Sequence, residues 1–429
     1  MDMPPEVVLM ISTHLDDHTL RALALASRSF CRLLLPEYLR RCGPVTENVA
    51  GTSGSKVLLR DPSGYASLGL LSLLHDFQPP REVSCTIPYD TLEARSAFKS
   101  LTRFLLNASN MRNLRDFYLF LFGSNCAQLL SEFFAIRQVF CTLPLTRLYF
   151  GGFGSEVYPP PVSVLRKGVP GGSHTLTIFR ICSDYAFAPG LVQTTMKILH
   201  HSPIASLSIS VKSLKARHWS TLLGELDMAF LEDILLDGDI PQPPLIRFLT
   251  KHKGLKNICI RCDVPSTLSR PARAQYLPFL PDLWSFSAPL AICYDIAERI
   301  GNSSNLYSLE VGMSGFEPHD PDFRRLLQIL ASGHFQKFRC LELELWPSSS
   351  ITSPASLKEH DWHEYPARDL KQIRKLGFSH RGQLSGDIVC FHIYLSYRLL
   401  CLTEVTGRDV RLCAIISDGG RGIRDRCGG

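Results

Sequence analysis

The chain has 429 residues, 45% hydrophobic and 20% charged, with 46 Lys and Arg against 40 Asp and Glu for a net charge of +6. That balance excludes an intrinsically disordered chain, and the length holds a small module plus one large or two medium domains. The basic residues form no stripe with interleaved aromatics, so no nucleic-acid partner is expected. The N-terminus is acidic-polar and lacks the basic and apolar regions of a secretory signal. The 14 cysteines are therefore expected to be reduced thiols in a cytoplasmic or nuclear protein, most of them small buried hydrophobes. The most apolar late stretch, 388–402, carries His392 and Arg398 and is too short for a membrane span, so no membrane segment is expected.

The first forty-two residues predict three short helices. Pro5 suits a first helical position and Glu6 sits well against the positive end of the helix dipole. Val7, Ile11 and Leu15 recur at four-residue steps on one helix face. Asp16, Asp17 or Thr19 caps the next helix. Leu20, Leu23, Ser27, Phe30 and Leu34 then follow a three-four spacing, and Pro36 is expected to end or kink a helix. So short a segment buries little by itself, so its aliphatics imply a partner surface or the next domain.

In order and spacing these residues resemble the F-box family. Its pattern opens on Leu-Pro-Pro-Glu-hydrophobic and a Leu/Ile-rich helix, then continues through Leu-x-x-Leu, Ser-Arg-x-Phe and Leu-x-x-Pro-x-Leu. The matching residues here are Pro4, Pro5, Glu6, Val7, Ile11, Leu15, Leu20, Leu23, Ser27, Arg28, Phe30, Leu33, Pro36 and Leu39. Met3 stands where the family prefers leucine, a mild change for an adaptable apolar side chain. Leucine periodicity alone would also fit an ordinary helical bundle; the Pro-Pro-Glu start and the Ser-Arg-x-Phe favour the F-box. The resemblance implies docking on the Skp adaptor of a cullin–RING ubiquitin ligase. The contact would use Pro4, Pro5, Glu6, Val7, Ile11, Leu15, Leu20, Leu23 and Phe30.

Residues 43–80 read as a loop-rich connecting segment, marked by Gly51-Thr-Ser-Gly and Asp61-Pro-Ser-Gly. Beyond it, short alternating apolar runs are predicted as strands at 82–87, 114–120, 145–150, 175–179, 205–211, 231–236, 255–260, 283–286, 306–311 and 340–345. Successive runs start roughly 23 to 34 residues apart, the spacing of leucine-rich repeats. Helices are expected between them at 97–107, 126–140, 191–200, 244–253 and 323–332. An ordinary α/β domain would alternate in the same way. The Leu-x-x-Leu-x-Leu phrasing, clearest from Leu255 and Leu306, favours a horseshoe solenoid and resembles the irregular leucine-rich regions that follow F-boxes.

The expected fold is therefore α/β: a three-helix F-box at 1–42, a leucine-rich-repeat-like solenoid at 81–346, a loop with a last repeat at 347–385, and a tail at 386–429 that is either a capping element or partly disordered.

Several chemical motifs do not hold together. Cys259 and Cys262 have half a zinc site's spacing, but no further pair follows before Cys293. His360, His363 and Glu364 lack the helical four-residue histidine spacing of a zincin, and His200-His201 suits a helix end. The glycines at 151–154 and 168–172 lack the Gly-Lys-Ser/Thr of a phosphate loop, and no Gly-x-Ser-x-Gly elbow occurs. No catalytic residue, cofactor or metal is expected. The expectation is a non-catalytic substrate receptor of a Skp–cullin–F-box ligase, holding an unidentified protein on its solenoid. The alternative is a leucine-rich interaction scaffold with no link to ubiquitin. On the strand face Tyr307, Glu310 and Arg261 are the residues expected to face a substrate.

Overall fold

The computed structural model describes residues 4–43, 45–48, 55–71, 73–74, 79–87, 90–107, 113–122, 132, 136, 139–140, 142–152, 165, 175–188, 191–262, 280–300, 305–314, 321–331, 335–346, 375–381 and 411–417. The protein is mixed α/β and divides into two compact units, Met1–Phe230 and Leu231–Gly429.

The first unit opens with helices α1 (Pro5–Ser12), α2 (Asp17–Ala26) and α3 (Arg28–Cys42). Their boundaries follow from capping chemistry. Pro5 starts α1, where a missing N–H costs nothing. The Asp16 carboxylate accepts from the Thr19 N–H at 2.7 Å and caps α2. Ser27 Oγ accepts from the Phe30 N–H at 3.2 Å and caps α3. Pro36 lies within α3 and does not end it, which removes the first of the two expected outcomes, an end or a kink. Leu34, Leu35, Tyr38 and Leu39 are buried around it, and that packing carries the helix through the proline.

Strands β1 (Val45–Asn48) and β2 (Ser55–Leu59) pair antiparallel, and α4 spans Pro62–Leu71. The segment expected as a loop-rich connection thus holds two strands and a helix. Then follow β3 (Glu82–Ile87), α5 (Thr91–Leu106), β4 (Asp116–Leu121), β5 (Arg147–Gly151), β6 (Ile178–Cys182), α6 (Val192–His201), β7 (Ser206–Ser210) and α7 (Ala216–Glu225). From β2 to β7 each strand lies parallel to the next in chain order.

The second unit contains β8 (Asp233–Asp237), α8 (Gln242–Lys251), β9 (Asn257–Arg261), β10 (Ser285–Pro289), α9 (Leu290–Ile300), β11 (Ser308–Ser314), α10 (Pro321–Ala331), β12 (Cys340–Trp346), β13 (Lys375–Arg381) and β14 (Arg411–Ser417). They too are parallel in chain order. β14 lies within the tail expected as a capping element or partly disordered. The helix expected over 126–140 falls largely outside the described residues.

One local unit recurs in both. It reads apolar-x-x-apolar-x-apolar, as in Leu114, Phe117, Leu119 or Leu255, Ile258, Ile260, with all three apolar side chains buried. The residue just before a strand and the strand's first residue donate their N–H groups to one carbonyl. That carbonyl belongs to the residue just before the preceding strand. Thr146 and Arg147 share the Arg115 carbonyl, and Tyr307 and Ser308 share that of Trp284. Sharing one acceptor holds each strand in the same register as its neighbour. A one-residue slip would turn every buried side chain outward.

Along β3, β4, β7, β8 and β9 buried residues alternate with more exposed ones. Helices such as α5 on β3 and α9 on β10 and β11 cover one face, and on the other face no described helix packs on these strands, whose outward residues are half-exposed. In the first unit the covered face carries a run of phenylalanines, with Phe150 5.8 Å from Phe179 and Phe140 5.5 Å from Phe117 and 5.3 Å from Phe150 between ring centres. Burying each such ring contributes about 1.5–3 kcal/mol. Gly152 follows β5 with φ +115°, and a Cβ there would stand 1.8 Å from the Leu121 carbonyl oxygen. Only glycine fits that approach.

Candidate functional site

The first helix is apolar on every side, through Val7, Val8, Leu9, Met10 and Ile11. A helix of that kind is normally enclosed. Here the chain buries only Val8 and Ser12 of α1, and leaves Leu9, Met10 and Ile11 exposed, Met10 at 62% and Ile11 at 41%. On α2 Leu25 is exposed as well. With Leu9, Met10 and Ile11 40%, 62% and 41% exposed, each leaves about half of the roughly 1.5–3 kcal/mol of full burial for a partner surface to supply.

The expected contact residues separate cleanly. Pro4, Pro5, Glu6 and Ile11 are exposed, while Val7, Leu15, Leu23 and Phe30 are partly exposed. All eight are within reach of a partner. Leu20 is not: it is 0% exposed, packed in the seam between α2 and α3 with Ala24 and Leu34. Leu20 is a core position of the helices and presents nothing to a partner. Leu9, Met10 and Leu25 are exposed apolar side chains outside the expected set, because a helical-face count selects one stripe. The signal was the absence of any polar side on α1.

The module is held in shape by Arg41. Its guanidinium donates to the Ser12 carbonyl at 3.0 Å and the Leu15 carbonyl at 3.1 Å, and so ties α3 to the end of α1. Its Nε and the Arg40 side chain both donate to Glu37 at 2.7–2.8 Å. Those hydrogen bonds pull the Glu37 carboxyl down to about 2.

The other motifs fall apart in three dimensions. Cys259 lies on the open face of β9 and Cys262 is buried just beyond that strand. Burial pushes the Cys259 thiol up, away from thiolate chemistry. Among the described residues no group of three or more His, Cys, Asp or Glu is placed to hold a metal ion. His200 and His201 end α6 as expected. Gly151 and Gly152 are packing positions against β4, while His360–Glu364 and the glycines at 168–172 lie outside the described residues. Arg261 and Glu310 sit on half-exposed positions of β9 and β11. Tyr307 instead precedes β11 and stacks on Trp284, with ring centres 4.6 Å apart.

No family model matches the chain, and no curated protein matches it. Among the described residues no helix is long and apolar enough to cross a membrane.

Proposed function

We propose that the protein is a substrate receptor of a Skp–cullin–F-box ubiquitin ligase, with α1–α3 as the F-box and the strand array as a leucine-rich-repeat-like solenoid. The observation that carries this reading is the open apolar surface of Leu9, Met10 and Ile11 on a helix opening with Pro4-Pro5-Glu6. In this reading the Skp adaptor covers that surface together with Val7, Leu15, Leu23, Leu25 and Phe30. The parallel strands present an open face to a protein substrate. The receptor carries out no bond chemistry. It raises the effective concentration of substrate lysines near the ubiquitin-loaded enzyme.

The test is co-purification of the full chain with a Skp-type adaptor, comparing wild type with Met10→Glu/Ile11→Glu. Both side chains are exposed, so the variant keeps its fold, while two carboxylates enter a desolvated contact. Stoichiometric binding by wild type and none by the variant is the expected result. Retention of the adaptor by the folded variant, or none bound by wild type, would leave an interaction scaffold as the better account.

A further inference from the structure

The open sheet face of the first unit has an unusual row. Tyr118, Tyr149 and Arg180 are paired in register across β4, β5 and β6. Phe120 stands beside them, its ring centre 5.2 Å from that of Tyr149, with Tyr118 6.0 Å from Tyr149 on the other side. All three rings are half-buried. Tyr149 and Phe120 lean over Gly151, where an added Cβ would come within 2.5 Å of the Tyr149 ring and 2.7 Å of the Phe120 ring. The missing side chain lets the rings lie down as a platform.

The charges along this face nearly cancel. Lys56 pairs with Glu82 at 2.9 Å, and Arg147 stands 3.7 Å from Asp116. Arg180 is exposed and has no ion-pair partner among the described residues, so it is the uncompensated charge beside the rings.

We infer that this platform docks an extended protein segment carrying a carboxylate beside proline or aliphatic side chains. This deepens the receptor reading, on which it rests, by naming the class of substrate segment. The row spans three strands, about 10 Å at ~4.8 Å per strand. That is the length of about three extended residues, so one apolar side chain meets the rings and a neighbouring carboxylate reaches Arg180. Tyr and Arg are the residue types that carry most interface energy. A nucleic acid is disfavoured, because a single unpaired cation among the described residues of this face offers its phosphates little attraction.

The experiment is selection of a phage-displayed library of random 12-residue peptides on the full chain, on Arg180→Glu and on Tyr149→Ala, with Trp284→Ala as a surface control. Wild type and Trp284→Ala enrich sequences with Asp or Glu next to Pro, Leu or Val. Arg180→Glu shifts the enrichment to Lys or Arg, and the synthetic consensus peptide binds it at least about tenfold more weakly. Tyr149→Ala, with an unfolding midpoint close to wild type, loses the enrichment. Enrichment unchanged by Arg180→Glu, or none on wild type, overturns the inference. Adaptor co-purification on the same proteins separates the two ideas: the patch variants keep the adaptor, and the Met10/Ile11 variant keeps the peptide.

Discussion

The hydroxyls of Tyr38 and Ser67 stand 3.3 Å apart in the buried seam between α3 and α4. Ser67 in turn donates to the Cys42 carbonyl at 3.4 Å, so Tyr38 is the donor to Ser67. Next to Ser67 on α4, Tyr65 donates to the Thr86 carbonyl of β3 at 3.0 Å. The N-terminal helices are therefore continuous with the strand array through α4. Tyr38→Phe is expected to cost about 0.5–1.5 kcal/mol in urea unfolding, the net worth of one buried hydrogen bond. Deleting residues 1–42 is expected to lower the midpoint much further by uncovering Leu68 and Leu71. Point variants are for that reason the cleaner test of adaptor binding.

Leu20 and Ile11 should fail in different ways. Leu20→Ala opens a cavity in the α2–α3 seam and is expected to cost about 2–5 kcal/mol. Ile11→Ala lies in water and is expected to change stability by less than about 0.5 kcal/mol while weakening the adaptor. Thermal unfolding beside adaptor titration separates them, and equal stability of the two variants would contradict the burial.

The glycines divide just as sharply. Gly152→Ala drives a Cβ into the Leu121 backbone at a positive φ and is expected to abolish the folded first unit. Gly69→Ala and Gly224→Ala add a methyl in open space within α4 and α7. Each is expected to stabilise by about 0.5–1 kcal/mol, read as a raised midpoint.

Stability should fall as acid reaches His218. The Lys215 N–H donates to His218 Nδ1 at 3.0 Å at the start of α7, which requires an unprotonated ring nitrogen. Burial lowers the affinity of that ring for a proton, and Arg217 and Lys215 add to it. The unfolded chain, with its histidine near 6.5, then binds the proton more readily, so the contribution is present above about pH 6.5 and lost below it. Urea unfolding at pH 8 and pH 5.5 should show the loss, reduced in His218→Asn, whose amide oxygen can still accept the hydrogen bond.

Much of the strand array was legible because its signal is local and repeated. Leu114, Leu145, Leu255 and Leu306 each begin an apolar-x-x-apolar-x-apolar phrase, and strands lie there. Pairing in these strands, and in the weaker copy at Leu283, begins two residues later than the phrase itself, and at Leu176 the expected strand starts three residues early, since only the shared carbonyl acceptor sets where pairing begins. α4 was missed because Asp61-Pro-Ser-Gly reads as a turn. The same chemistry caps a helix: Asp61 accepts from the Gly64 N–H at 2.8 Å and the Ser63 hydroxyl at 2.6 Å.

By itself the sequence determined the three N-terminal helices, the order of β3 to β12 and the buried positions of their apolar-x-x-apolar-x-apolar phrases, because caps and period-two alternation act between near neighbours in the chain. The tertiary structure decided what faces outward. Leu20 and Ile11 occupy similar places in an apolar pattern, yet one is enclosed by α3 and the other meets water. Tyr149 and Arg180 are thirty-one residues apart in sequence and become neighbours only when β5 and β6 pair. Burial and adjacency depend on which elements meet, and that is a property of the packed chain.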